Sequence, residues 1–196
     1  MTDDLRFEVI AAGFSGDHAM AVSGLAAKDG ATRASALRSL ARMNRIDADT
    51  LTESLRDTDS EVRRTAIELS APFDDVEVHA FIDDADVFVA EMVAWCLGER
   101  KSIRDVEIDV LIDRTTTHDE AVVREACAAA LGSLGDPRGL SAILAACSDK
   151  PAVRRRAILA LAPFEGEKVD AALAHALEDK DWQVRQNAED LINPRG

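Results

Sequence analysis

The chain repeats a pattern of about 30 residues, and this period limits its possible folds more than any other feature. The segments DSEVRRTAIELSAPF (59–73) and KPAVRRRAILALAPF (150–164) are identical at eight of fifteen positions and lie 91 residues apart. Equivalent positions recur along the chain in steps of 27 to 34 residues, at Arg33, Arg63, Ala90, Arg124, Arg154 and Arg185. Self-similarity at this period is typical of a solenoid built from stacked supersecondary units.

Each repeat has the same internal order. An acidic turn precedes a helix that carries the Val-Arg pair, a break follows, and a second helix returns to the next acidic turn. Within the Val-Arg helix, apolar residues such as Val62, Ala66, Ile67 and Leu69 form one stripe with a period of 3.6 residues. The predicted Val-Arg helices are 31–45, 60–71, 87–101, 120–132, 151–162 and 182–192.

A single helix pair cannot bury its apolar faces alone, whereas a stack of pairs forms a continuous core. The sequence therefore predicts an all-α solenoid of about six antiparallel helix pairs in one domain, 1–196. The expected parts are a capping helix within 1–16 and repeats near 17–45, 46–71, 72–100, 101–133, 134–163 and 164–196.

Composition and charge narrow the functional classes. The chain is 47% hydrophobic but only 4% aromatic, without Tyr, which favours helices over strands. A net charge of −14 argues against nucleic acid and anionic membranes as partners, because phosphate binding needs a cationic surface. No apolar stretch is long enough to cross a bilayer, and the acidic N-terminal residues are unlike a secretory signal. Three scattered cysteines, Cys96, Cys127 and Cys147, predict buried thiols in a reducing cytoplasm.

The pattern D-x-D-x-x-V-R-x-x-A-x-x-A-L, followed by LGSLGDPRGL at 131–140, resembles the short HEAT-like repeats of phycobilin lyase-type proteins. The resemblance extends from about residue 17 to 192. It implies a right-handed superhelix whose second helices line a concave face, and a role in binding proteins. The third repeat departs from the pattern at Ala90 and in the longer segment 99–105, and the sequence leaves open whether this irregularity is functional.

The repeated arginines are interpreted as a structural ladder. Each lies at the edge of the buried stripe, where its guanidinium reaches either the Asp four residues earlier or the matching Asp of a neighbouring repeat. The predicted ladder residues are Arg33, Arg63, Arg124, Arg154, Arg185, Asp59 and Asp181.

Residues one and five positions after the repeated arginine are predicted to point away from the core and to form the floor of the concave groove. They are Ala34, Arg38, Arg64, Glu68, Glu91, Trp95, Glu125, Ala129, Arg155, Leu159, Gln186 and Asp190. Trp95 and Leu159 are the candidate anchors for a partner, because large apolar side chains are costly to expose. A solvated face, with Trp95 tucked between helices, is the alternative.

The sequence predicts a protein or peptide partner, with acidic segments suggested by the basic clusters at 33–45 and 154–156. It predicts no catalytic residue, no metal and no cofactor. His18, His79, His118 and His175 are scattered through different repeats. The carboxylates at 83, 84 and 86 are expected to lack an arginine partner, since Ala90 replaces it, and to form a solvated acidic turn. Cys127 is expected to be a core thiol.

Two functions remain in competition. The first is a non-catalytic cytoplasmic scaffold that binds a partner through the concave face. The alternative, implied by the resemblance, is a bilin lyase-like or chaperone-like subunit acting on a chromophore-bearing protein. A HEAT-like DNA glycosylase would need a basic groove with aromatic residues, and the negative charge argues against it. The sequence does not predict the oligomeric state.

Overall fold

The structure is a computed structural model that describes residues 2–193, with side chains from Asp4 onward. Within these residues all regular secondary structure is helical, which confirms the predicted all-α class. Short 3₁₀ turns lie at Val78–Phe81 and Pro137–Gly139. The α-helices of the described part are α1 (Thr2–Ser15), α2 (His18–Gly24), α3 (Gly30–Arg42), α4 (Ala48–Ser54), α5 (Ser60–Leu69), α6 (Val87–Gly98), α7 (Asp105–Thr117), α8 (Ala121–Leu134), α9 (Leu140–Ala146), α10 (Pro151–Ala160), α11 (Glu167–Ala176) and α12 (Trp182–Ile192).

The chain forms two compact units, Met1–Ala80 and Phe81–Gly196. In the first unit, α3 packs against α1, α2 and α5. In the second unit, α8 lies between α6 and α10 and also packs against α7 and α9, while α10 packs against α12. Within each unit, successive helices pack against their neighbours as in an α-solenoid. The single domain of 1–196 and the right-handed superhelix stay predictions.

The six Val-Arg helices are α3, α5, α6, α8, α10 and α12, and each begins within one residue of its predicted start. Their helical stripe is buried as expected: the Val before the arginine position is at most 1% exposed in α5, α6, α8, α10 and α12. Leu69, which was expected in the stripe, is only half-buried at the end of α5. The repeated apolar spacing is therefore what forms the core.

Acidic residues begin several of these helices. Asp29, Asp59, Asp86 and Asp181 are N-caps whose side-chain oxygens accept backbone N–H bonds in the first turn. At the other end of α8, Gly135 takes the left-handed conformation (φ 62°) that ends the helix, as the Gly-Pro break in the sequence predicts.

The third repeat departs from a complete pair of α-helices, because a shorter element stands in place of the helix expected before α6. The chain between α5 and α6 forms only the 3₁₀ turn Val78–Phe81. Val76 and Val78 are both fully buried although they are two residues apart. Their burial packs this short connection into the core without a full α-helix.

Of the described helices, none has the length and apolar character needed to cross a membrane.

Candidate functional site

Three of the repeated arginines each bind the first aspartate of the next acidic turn. Nε and Nη2 of the guanidinium donate to the two carboxylate oxygens at 2.6–2.8 Å. The third nitrogen, Nη1, donates to backbone carbonyls in the turn that precedes the arginine's own helix. Each arginine therefore joins two successive turns. The pairs are Arg33–Asp57, Arg124–Asp149 and Arg154–Asp179.

Asp59 and Asp181, which lie four residues before Arg63 and Arg185, are engaged as helix N-caps. Arg63 and Arg185 donate Nη1–H to backbone carbonyl oxygens of the preceding turn, at 2.9 and 2.7 Å. The sequence left open whether each arginine binds the Asp four residues earlier or the Asp of a neighbouring repeat. In the three pairs above, the arginine binds the Asp of the following repeat.

The arginines lower the pKa of their aspartate partners. The side-chain hydrogen bond from Arg154 lowers the pKa of Asp179 to about 2, although burial of the carboxylate opposes this effect. The pKa values of Asp57 and Asp149 are lowered for the same reasons. The folded protein therefore binds fewer protons at these positions than the unfolded chain.

This difference predicts acid sensitivity. Because the folded pKa is depressed, the stabilisation is complete above the unfolded pKa of about 4 and is lost as the pH falls towards about 2. We expect the free energy of unfolding, measured by urea denaturation, to fall over this range. The Asp179→Asn variant should be less stable near neutral pH and should lose stability less steeply in acid. An unchanged slope would show that Asp179 does not contribute.

A second prediction concerns the ladder itself. Arg154 and Arg156 lie on α10, but the Arg154 side chain is 18% exposed and makes a bidentate pair, whereas the Arg156 side chain is 46% exposed. We expect Arg154→Ala to lower the free energy of unfolding by about 1–3 kcal/mol, because it leaves a partly buried carboxylate unpaired. Arg156→Ala should cost less than about 1 kcal/mol. Equal shifts in denaturation midpoint would contradict the ladder.

The acidic turn of the third repeat has an arginine partner after all, which corrects the expectation from the sequence. Arg114, near the end of α7, donates Nε–H and Nη2–H to the carboxylate of Asp83 at 2.8 and 2.7 Å. The Nε2 atom of His118 lies 3.8 Å from the same carboxylate. Arg114 therefore pairs with this turn from α7, a helix outside the Val-Arg series.

A buried ion pair that sequence reasoning missed joins the irregular segment 99–105 to α7. Nη1 of Arg100 lies 2.5 Å from Oε1 of Glu107, and both side chains are fully buried. Glu107 also accepts the backbone N–H of Arg104 at 3.0 Å and a bond from its guanidinium at 2.9 Å. Burial opposes ionisation of Glu107, but the two arginines outweigh it and lower the pKa of Glu107. The segment therefore anchors the start of α7.

In the first unit, the predicted face residues differ in burial and in contacts. Arg38 donates Nη2–H to Oγ1 of Thr65 at 2.8 Å and approaches Glu61 at 3.4 Å. Arg64 is half-buried and Glu68 is exposed. Ala34 is fully buried in a helix that packs against α1, so its predicted exposure is wrong.

The second unit has an open cleft between α6 and α8, with a volume of about 310 Å³. Its walls include four of the predicted face residues, and Arg156 reaches it from α10. Trp95 is 44% exposed, so its indole is neither fully buried nor free of packing. The lining residues are Glu91, Trp95, Gly98, Glu99, Val122, Glu125, Ala126, Ala129, Ala130, Ser133 and Arg156.

Small residues set the depth and floor of this cleft. A Cβ atom on Gly98 would lie 2.9 Å from the Cα of Ala130, so α6 and α8 approach each other closely at this point. Ser133 Oγ donates to the carbonyl oxygen of Gly98 at 3.1 Å, which joins the two helices again. Ala126 and Ala129 leave the space in front of Trp95 unfilled. The cleft therefore has a floor of small residues beside one aromatic ring.

The charge at the cleft is predominantly negative. Glu91, Glu99 and Glu125 line it, and Arg156 is the cation among its lining residues. Arg156 Nε lies 3.7 Å from Oε1 of Glu125, which is too long for a strong hydrogen bond. Because this pair is weak, the glutamates of the cleft can pair with a positively charged group that enters it.

The remaining face residues of the second unit follow the cleft along α10 and α12. Arg155 donates Nε–H and Nη2–H to Oδ2 of Asp181 at 2.9 and 2.5 Å, so it connects two repeats. Leu159 is 42% exposed. Gln186 donates Nε2–H to Asp190 at 3.0 Å.

The thiols have no features of a reactive site. Burial raises the pKa of Cys96 to about 11, of Cys127 to about 12 and of Cys147 to about 11. Cys147 is half-buried, whereas full burial was expected. Among the described residues, no three His, Cys, Asp or Glu side chains cluster so that they could hold a metal ion.

The stacked helices and the cleft beside Trp95 define the class of protein: a helical repeat protein with an aromatic cleft on its Val-Arg helices. A family model described as HEAT repeats matches residues 108–193. It supports the HEAT-like character of that part of the chain and does not extend to the phycobilin lyase-type subfamily. No curated protein matches the chain closely enough to count as a relative.

Solved structures show the same fold at low sequence identity. A designed armadillo repeat protein in complex with the peptide (KR)4 is 17% identical, with a TM-score of 0.61 over 88% of this chain and 96% of that chain. An engineered protein is 20% identical, with a TM-score of 0.61 over 90% of this chain and 97% of that chain. Another engineered protein reaches a TM-score of 0.63 at 20% identity over 97% of this chain and 62% of its own.

Proposed function

We propose that the protein is a non-catalytic, cytoplasmic protein-interaction module that binds an extended segment of a partner along its Val-Arg helices. The observation that carries the proposal is the cleft beside Trp95. Interface anchor points are enriched in aromatic residues, and here an exposed tryptophan lies next to small residues that leave space for a partner side chain. The HEAT-repeat similarity of residues 108–193 supports the general class.

The charges around the cleft favour a basic anchor residue in the partner. An Arg or Lys side chain could lay its methylene groups against Ala126 and Ala129, stack its cationic end on Trp95 and pair with Glu91 or Glu125. The volume of about 310 Å³ suits one long side chain better than a folded domain.

The acidic partner segments predicted from the sequence now have less support. Arg33, Arg154 and Arg155, which made up much of the two basic clusters, are already paired with aspartates of this chain. Arg42 and Arg45 are exposed and keep an acidic segment possible for the first unit. The charge argument is therefore strongest for a basic residue at the Trp95 cleft.

A peptide titration tests the basic anchor. The designed armadillo repeat protein that shares this fold was solved with (KR)4, so a peptide of alternating Lys and Arg is a suitable probe. In a Trp182→Phe background, Trp95 is the one remaining tryptophan and reports binding through its fluorescence. We expect a saturable change that weakens with added salt. The Glu91→Gln/Glu125→Gln double variant should bind the peptide less tightly.

Two results would contradict the basic anchor: tighter binding of a matched Glu-containing peptide, or no change in Trp95 fluorescence with either peptide. The broader function has its own test. A photo-crosslinking amino acid in place of Leu159, on the proposed face, should link to a partner protein, whereas the same group in place of the exposed Ala174 on α11 should not. Equal crosslinking at both positions would argue against binding by this face.

A further inference from the structure

The first helix, α1, exposes three large apolar side chains on one face. Phe7 is 72% exposed, Ile10 is 40% exposed and Phe14 is 70% exposed. The opposite face of the helix is fully used, since Val9 and Ala12 are buried where α1 packs against α2 and α3. A helix on a protein surface normally presents a polar face to water, so this stripe indicates a binding surface.

The stripe has a symmetric sequence. Phe7, Ile10, Ala11 and Phe14 lie at spacings of three, one and three residues on one side of the helix. The midpoint falls between Ile10 and Ala11, and the two phenylalanines are equally distant from it. In an antiparallel contact between two copies, Phe7 of each copy would meet Phe14 of the other, and Ile10 would meet Ala11. Surfaces with this property are self-complementary.

Charges around the stripe favour the same arrangement. Asp4 and Glu8 are exposed near Phe7, and the cation between them, Arg6, donates Nε–H to Oγ of Ser35 on α3 at 3.2 Å. At the other end, the Arg42 guanidinium lies 4.2 Å from the centre of the Phe14 ring, and Arg45 lines the depression beside Phe14. An antiparallel contact brings the acidic end of one copy to the basic end of the other. A parallel contact would bring acid to acid and base to base.

We propose that α1 docks a second copy of this chain through the Phe7–Ile10–Ala11–Phe14 stripe, in an antiparallel, two-fold symmetric contact. One helix per copy forms a small interface, so the dimer should be weak and concentration-dependent. The contact uses a different surface from the Trp95 cleft, and it does not depend on the proposed function.

Sedimentation of the full chain tests the dimer. We expect wild-type protein to shift from monomer to dimer at concentrations up to about 0.5 mM, a range that covers weak interfaces. Phe7→Asp/Phe14→Asp should raise the dissociation constant by about tenfold or more, because it places charges in an apolar contact. Phe88→Asp, at a similarly exposed phenylalanine of α6, should leave it unchanged. Circular dichroism would establish that all variants remain folded.

Crosslinking with a short bis-maleimide tests the orientation. Mixing Phe7→Cys protein with Phe14→Cys protein should give a crosslinked pair, whereas Phe7→Cys protein alone should give little. The native cysteines serve as background, measured with wild-type protein, and their raised pKa values predict low reactivity. Efficient crosslinking of Phe7→Cys to itself would overturn the antiparallel contact. A wild-type chain that stays monomeric throughout would overturn the dimer.

Discussion

Replacing Glu107 with Gln is expected to lower the free energy of unfolding by about 3–5 kcal/mol, the usual cost of breaking a buried ion pair from one side. The substitution keeps the volume of the side chain but removes the negative charge that lies 2.5 Å from the fully buried Arg100 guanidinium. It also removes a charged acceptor from the backbone N–H of Arg104, at the start of α7. The measurement is urea denaturation near neutral pH.

The matched control lies two residues away on the same helix. Asp105 also pairs with an arginine, Arg138, but its side chain is 87% exposed. Asp105→Asn should therefore cost less than about 1 kcal/mol. If both substitutions had the same small effect, the Arg100–Glu107 pair would not be the anchor of α7.

A double substitution separates the pair from its surroundings. Arg100→Met/Glu107→Leu removes both charges and fills the site with apolar groups, so we expect it to recover much of the stability lost in Glu107→Gln. A double variant as unstable as the single one would indicate that other contacts of these side chains matter more than the pair.

The repeat made most of the fold predictable. A Val before five of the six repeated arginine positions and a small or apolar residue three positions after all six fix the buried face. The Val-Arg helices accordingly begin within one residue of the predicted starts. The Gly-Pro break after α8 was equally predictable from the sequence, because a left-handed backbone favours a glycine such as Gly135.

The prediction failed where the period is broken. Nothing in the local pattern indicates that Arg100, a charged residue in a loop, is buried, because its partner Glu107 belongs to the next helix. Arg114 likewise pairs with Asp83 from a position outside the repeat register. Of these residues, only Glu107 had a signal in the sequence. It lies three residues after Arg104, the N-cap of α7, and this is the position of the acidic residue in a capping box.

The predicted face residues also divide into those that local spacing could assign and those that depend on packing between helices. Helical spacing was enough to assign Trp95 and Leu159 to an exposed side, and both are more than 40% exposed. It could not reveal that Ala34 is buried, since that depends on which helix packs against α3. It also could not show that Arg155 binds Asp181, because a carboxylate 26 residues away is brought near only by the stacking of repeats.

Removing the Trp95 indole is expected to abolish most partner binding while leaving the fold intact. The side chain is 44% exposed and projects into a cleft, so Trp95→Ala removes little core packing. At a central interface anchor, truncation to Ala costs about 2–4 kcal/mol of binding free energy, which is roughly 30-fold or more in the dissociation constant. The readout is calorimetric titration with the alternating Lys-Arg peptide, with the melting curve as a check on folding.

Trp182 provides the control for this prediction. It is 64% exposed at the first position of α12 and does not line the cleft, so it is the same residue type in a more exposed setting. If affinity depended on any exposed aromatic ring, Trp182→Ala would weaken binding at least as much as Trp95→Ala. If affinity depends on the cleft, with its small floor residues and its three glutamates, only Trp95→Ala should weaken it. Unchanged affinity in Trp95→Ala would show that the peptide binds elsewhere than at α6 and α8 and that the cleft has no role in binding.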